Sequence, residues 1–160
     1  LTNPAGAQFQ LLGANRKHFA GKLATALFQL GCDRAIVVCG NDELDEVSLW
    51  GQTTVFDVSR DGVEERSWVA RDFGLPECHV DDLRVDGAAE SAARIRQIFE
   101  GIPGASRDIV VANTAAALIA AGKAIEPEAA ACLAAEAINS GRAKNILERL
   151  AVTTNALKAS

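Results

Sequence analysis

Four carboxylates fall within five residues, Asp42, Glu43, Asp45 and Glu46, in the run Asn41-Asp42-Glu43-Leu44-Asp45-Glu46. Oxygen ligands on a loop suit a hard divalent cation. Mg²⁺ takes one or two carboxylates, keeps waters, and draws its other ligands from a substrate polyphosphate. The run follows Cys39-Gly40, at the end of Arg34 to Cys39 (RAIVVC). That continuous apolar segment predicts a strand buried on both faces. Ligand crevices in parallel α/β sheets lie at the carboxyl edge of the strands, where this loop must sit. A solvated acidic loop is the plainer alternative. An EF-hand does not fit, because its sixth position must be Gly and Val47 stands there.

Other chemistry finds less support. Cys78-His79 with Asp81 and Asp82 offers metal-ligand types, but adjacent side chains rarely share one tetrahedral ion, and a loop after Pro76 explains them. The sequence has no Gly-x-Gly-x-x-Gly, Walker or Gly-x-Ser-x-Gly motif. With only His18 and His79, a hydrolytic triad gains no support, and no residue is assigned as a catalytic acid, base or nucleophile. Cys32, Cys39, Cys78 and Cys132 show no Cys-x-x-Cys spacing and read as reduced, mostly buried thiols of a cytoplasmic protein.

The elements that must position the acids can be read from periodicity. Gln8 to Ala14 predicts a strand, with Asn15 as N-cap of a following helix. Phe19, Leu23, Leu27 and Leu30 share one face of that helix, which Gly31 stops. Strand, helix and the RAIVVC strand make a βαβ unit with a parallel pair. Thr53 to Ser59 and Val63 to Ala70 predict two strands joined through Arg60-Asp61-Gly62 as a hairpin. A loop follows to Gly87. Next comes a helix burying Ala88, Ala92, Ile95 and Phe99, with Arg94, Arg96 and Glu100 in water. Gly101-Ile-Pro-Gly104 breaks it. Asp108 to Ala121 predicts a nearly apolar helix, and Pro127 opens another that ends at Asn139-Ser140-Gly141. Arg142 to Leu150 predicts a short last helix, and the segment after Ala151 carries no clear signal. Residues 112 to 137 hold 13 alanines in 26 positions, which implies close helix packing. The fold class is α/β: parallel strands with a crossover helix, a β-hairpin and a C-terminal helical run. Two parallel strands and a hairpin make a thin sheet for an α/β protein, so either further strands come from preceding sequence or the fold is unusually small.

Composition narrows the function classes. The net charge is −5 and the pI near 5.0, which argues against a nucleic-acid partner held by phosphate contacts. The uncharged, largely apolar stretch Ile109 to Gly122 has 14 residues and contains Asn113 and Thr114, too short and polar to span a bilayer. The first residues lack the basic-then-apolar pattern of a secretory signal. The chain starts at Leu1 and has no methionine, so it is expected to belong to something longer.

Several segments in order, LTNPAGA, QLLG, RAIVVCGNDELDEVSL, DFGL, RDIVVANTAAALIAAGKA and AINSGRAKNILERL, resemble anthranilate phosphoribosyltransferase. The resemblance implies the C-terminal portion, over 1–160, of a catalytic α/β domain of the nucleoside phosphorylase/phosphoribosyltransferase type. The family's N-terminal helical domain and glycine-rich loop would lie upstream. It implies transfer of phosphoribose from phosphoribosyl pyrophosphate (PRPP) to the amine of anthranilate, with release of pyrophosphate, in tryptophan biosynthesis. Asp45 and Glu46 match the family's acidic pair, which holds a Mg²⁺ bound to the diphosphate. Asn3 matches a loop near the substrates, although Pro4 beside it also explains that segment as an extended turn. A homodimer is implied for the complete enzyme, and little turnover for the fragment alone. Two positions depart from the family: Cys39 stands where His is common, and Glu43 where Gly is common. The alternatives are a pyrimidine nucleoside phosphorylase-like enzyme, which does not need the paired acids, and a non-enzymatic binding module on the same scaffold.

Overall fold

The computed structural model describes residues 6–158. Four strands, β1 (Phe9–Gly13), β2 (Arg34–Cys39), β3 (Thr53–Ser59) and β4 (Gly62–Trp68), form one sheet in the order β1-β2-β3-β4. The helices are α1 (Lys17–Gln29), α2 (Ala88–Phe99), α3 (Ala105–Ala120), α4 (Pro127–Asn139) and α5 (Arg142–Lys158). Strands β1 and β2 run parallel, with Leu11 opposite Ile36. Strand β3 returns antiparallel beside β2, with Val37 opposite Phe56, and β4 completes the hairpin. Ser59 pairs with Gly62, so the turn itself is Arg60-Asp61 and the glycine opens β4.

Alternation along β2 divides its side chains between two cores. Ile36 and Val38 face α3, α4 and Phe73. Ala35, Val37 and Cys39 face α1 together with Phe56 and Val58. Successive residues of a strand point to opposite faces, so a run apolar at every position needs helices on both sides. The alanine-rich segment does what its composition implies. Ala112, Ala115, Ala116 and Ala120 of α3 and Ala130, Ala131 and Ala134 of α4 are buried where these two helices pack together.

Three helix faces differ from the sequence expectation. Helix α1 begins one residue late: Arg16, not Asn15, is its N-cap, and no side chain caps it. Its buried stripe is Ala20, Ala24 and Leu27, while Phe19 and Leu30 are exposed. Small residues let this helix sit close to the sheet, with Gly21 lying over the Phe56 ring. In α2 the buried residue is Ile98, and Ile95 is exposed. Arg94, expected in water, turns inward instead. Its guanidinium donates to the Asp82 and Arg84 carbonyls and to Ser106 Oγ, and this rotates the helix face. Helix α5 runs on to Lys158, beyond the expected stop at Leu150, and exposes Ile146, Leu150 and Val152. The cysteines split: Cys32 and Cys39 are buried, Cys78 is half-buried and Cys132 is exposed, all as free thiols. No helix among the described residues is long and apolar enough to cross a membrane.

Candidate metal centre

The acidic run lies between β2 and β3, at the edge where the parallel strands β1 and β2 both end. A short 3-10 turn, Asn41–Glu43, starts it. Asp42 and Glu43 both adopt left-handed backbone, with φ of 57° and 60°. Two of the four carboxylates are occupied locally. Trp50 Nε1 donates to Asp42 Oδ2 at 2.9 Å, and Glu43 lies 3.8 Å from Arg16 Nε. Asp45 and Glu46 are exposed and carry no hydrogen bond or ion pair to another described residue. Partial burial, and then the charge of Asp45, pushes the Glu46 carboxyl above its ordinary range. Two like charges held close together, with no ion pair to a described residue, favour a positive ligand.

The backbone around the pair is fixed at both ends. Gly40 N–H donates to the Leu44 carbonyl at 2.7 Å, closing the loop just before Asp45. Val47 N–H donates to Asn113 Oδ1 at 2.8 Å, just after Glu46. Ser48, fully buried, donates its N–H to Thr53 Oγ1 at 3.0 Å and its hydroxyl to the Trp50 carbonyl at 3.1 Å. Both flanking strands end in glycine-backed contacts. A Cβ on Gly13 would fall well under 3.0 Å from the Asp45 backbone, and one on Gly40 would lie 2.5 Å from the Glu46 carbonyl. A cleft of about 470 Å³ opens beside Asp45, lined by Gly13, Asn15, Phe19, Lys22 and Leu23.

Asp45 and Glu46 stand side by side on the loop outside the regular strands, where the alternation that points adjacent strand residues apart does not apply. Asn3 lies outside the described residues. Cys78, His79, Asp81 and Asp82 form no metal cluster: among the described residues no three His, Cys, Asp or Glu side chains converge on one point. The donor set therefore fits Mg²⁺ in the form that takes two carboxylates and fills its sphere with water and phosphate oxygens. It does not fit a protein-only cage such as a zinc or calcium site. Sequence reasoning missed Asn113, Gly13 and Gly40. A signal existed for the glycines, since one stands at the end of each parallel strand.

Residues 1–144 match the family model described as "Glycosyl transferase family, a/b domain". The chain belongs to that family. Among curated proteins, this glycosyl transferase family chain is 46% identical over 155 residues to the anthranilate phosphoribosyltransferase of Geobacter sulfurreducens, covering 97% of the chain and 44% of the relative. It is 41% identical to that of Parvibaculum lavamentivorans, covering 97% of the chain and 46% of the relative. The anthranilate phosphoribosyltransferase crystal structure from Thermus thermophilus superposes with a TM-score of 0.83 at 34% identity, covering 92% of this chain and 44% of that one. The Saccharomyces cerevisiae enzyme in complex with PRPP and Mg superposes with a TM-score of 0.79 at 25% identity, covering 88% of this chain and 41% of that one. The expected resemblance and α/β fold hold, and the chain spans less than half the length of these relatives.

Proposed function

We infer that this chain forms the C-terminal portion of the catalytic α/β domain of an anthranilate phosphoribosyltransferase. The reaction is transfer of phosphoribose from PRPP to anthranilate with release of pyrophosphate, a step of tryptophan biosynthesis in the cytoplasm. The observation that carries the reading is the exposed Asp45-Glu46 pair, free of protein partners among the described residues and braced at both ends. Similarity to relatives of this name over 97% of the chain supports it, as does the structural neighbour in complex with PRPP and Mg. Such relatives favour the transferase over a pyrimidine nucleoside phosphorylase or a binding module.

Asp45 and Glu46 would hold Mg²⁺ through their carboxylates. Bound there, the ion supplies Lewis-acid stabilisation of the negative charge that builds on a departing diphosphate. The chain's own part is to keep two carboxylates adjacent at the strand edge. Gly40 and Gly13 allow the loop backbone to approach closely, and hydrogen bonds at Leu44 and Val47 anchor it on either side of the pair. The cleft beside Asp45 gives the site an open side. Asn3 is proposed to lie near the substrates, the family's glycine-rich loop would supply further contacts from outside this chain, and the complete enzyme is proposed as a homodimer.

The test uses the full open reading frame that contains these residues. Formation of phosphoribosyl anthranilate from PRPP and anthranilate should require Mg²⁺. Asp45→Asn combined with Glu46→Gln should reduce that turnover at least a hundredfold, on the order of the loss seen when charge stabilisation is removed. Unchanged turnover in the double variant, or phosphorolysis of thymidine in place of transfer, would overturn the reading.

A further inference from the structure

We propose that Asn113, on α3, is a positioning residue for the metal-binding carboxylates; this rests on the function proposed above. Its side-chain amide engages both polar groups of Val47. Asn113 Oδ1 accepts the Val47 N–H at 2.8 Å, and Nδ2 donates to the Val47 carbonyl at 3.0 Å. The same Nδ2 donates to the Ile109 carbonyl one turn back, at 3.0 Å, which fixes the rotamer. An amide that meets a backbone N–H and C=O together copies the pairing of a neighbouring strand. Among the described residues no strand pairs with the loop at this point, so Asn113 takes that role.

Location makes the clamp functional. Val47 is fully buried and follows Glu46 directly. Its N–H belongs to the peptide group that leaves Glu46. The peptide group that enters Asp45 is held by Gly40 at 2.7 Å. Between these two anchors lie Asp45 and Glu46 alone. Neither carboxylate has a protein partner of its own among the described residues, so their placement depends on the backbone that carries them. Groups that orient a metal ligand typically change affinity by about 10- to 100-fold when removed. An aspartate or leucine at position 113 cannot replace the amide, because Val47 needs an acceptor and a donor from one side chain.

The experiment uses the complete protein, with Mn²⁺ as a paramagnetic probe for Mg²⁺, titrated in the presence of PRPP. Four proteins are compared: wild type, Asn113→Ala, the Asp45→Asn/Glu46→Gln double variant, and Val58→Ala. Val58 is buried on the opposite face of the sheet and serves as a stability control. Asn113→Ala is expected to weaken Mn²⁺ binding by about tenfold and to speed exchange of the Val47 amide hydrogen. Val58→Ala should lower the melting temperature and leave Mn²⁺ affinity unchanged. If the double variant binds Mn²⁺ as well as wild type, the metal reading itself fails. If the double variant loses binding and Asn113→Ala does not, the role of Asn113 alone fails. Equal losses in Asn113→Ala and Val58→Ala would reduce the effect to stability and overturn the proposal. Should Asn113→Ala not fold, wild type still decides: Val47 amide exchange must slow when Mn²⁺ and PRPP bind, and unchanged exchange refutes the coupling.

Discussion

Replacing Gly40 by alanine separates two effects that usually act together. Gly40 has φ −73° and ψ 174°, a conformation open to any residue. Backbone entropy alone would then make Gly40→Ala stabilising by about 0.4–1 kcal/mol. Space says the opposite. The new Cβ would lie 2.5 Å from the Glu46 carbonyl oxygen, with Leu44 Cβ and Ser48 Cβ each at 3.2 Å. Ordinary contact begins at 3.4 Å, so the Glu46 carbonyl must retreat by about 0.9 Å. The other two neighbours block escape sideways. Overpacking of this kind costs about 1–3 kcal/mol. The net loss should be about 1–2 kcal/mol, or roughly 2–8 °C in melting temperature for a domain of this size. Because the group pushed away is the backbone of Glu46, Mn²⁺ affinity should fall as well. Gly21→Ala, inside α1, where the added Cβ would meet only the Phe56 ring at 3.4 Å, an ordinary contact, is the control and should not destabilise. Thermal unfolding and Mn²⁺ titration of both variants decide the matter. A Gly40→Ala protein as stable as wild type, with unchanged metal affinity, would refute the claim that this glycine is there for space.

Three further outcomes follow from the same structure. Glu43 sits at φ 60° with only an exposed ion pair to Arg16, so Glu43→Gly should stabilise by about 0.5–1 kcal/mol in urea unfolding. Ala116 is fully buried in the interface of α3 with α4, and Ala116→Leu should cost about 1–3 kcal/mol by the same measurement. Burial holds the Asp108 carboxyl above the usual carboxylate range, against the smaller opposing effect of Arg107. The folded state therefore keeps this proton to higher pH than the unfolded state does, and stability falls as pH rises through that window. Asp108→Asn removes the dependence. Its melting temperature should gain on wild type from the ordinary carboxylate pKa up to the raised one, and a constant difference would count against this sign.

Much of the fold was legible because local rules agree with one another. The RAIVVC run, the Thr53–Ser59 strand and Pro127 at a helix start each satisfy a periodicity or a backbone constraint that neighbours do not contest. Helix faces were less legible. In α1, alanines displace Phe19 from the core because a close approach to Phe56 outweighs the burial of one larger side chain. Arg94 defeats a rule about charge by satisfying its guanidinium on carbonyls of a loop that precedes it. The acids of the site were visible as composition at a strand end. Their braces were not, since nothing in the sequence links Asn113 to a residue 66 positions earlier.

That separation also has a consequence in time. A ribosome adds about 5–20 residues each second, so Val47 is made roughly 3–13 s before Asn113. During that interval the nascent chain already holds both acids, yet the helix that sets them does not exist. On the metal role proposed above, competence would therefore wait until α3 docks, and a chain stalled before that helix would carry the two acids without the Asn113 brace.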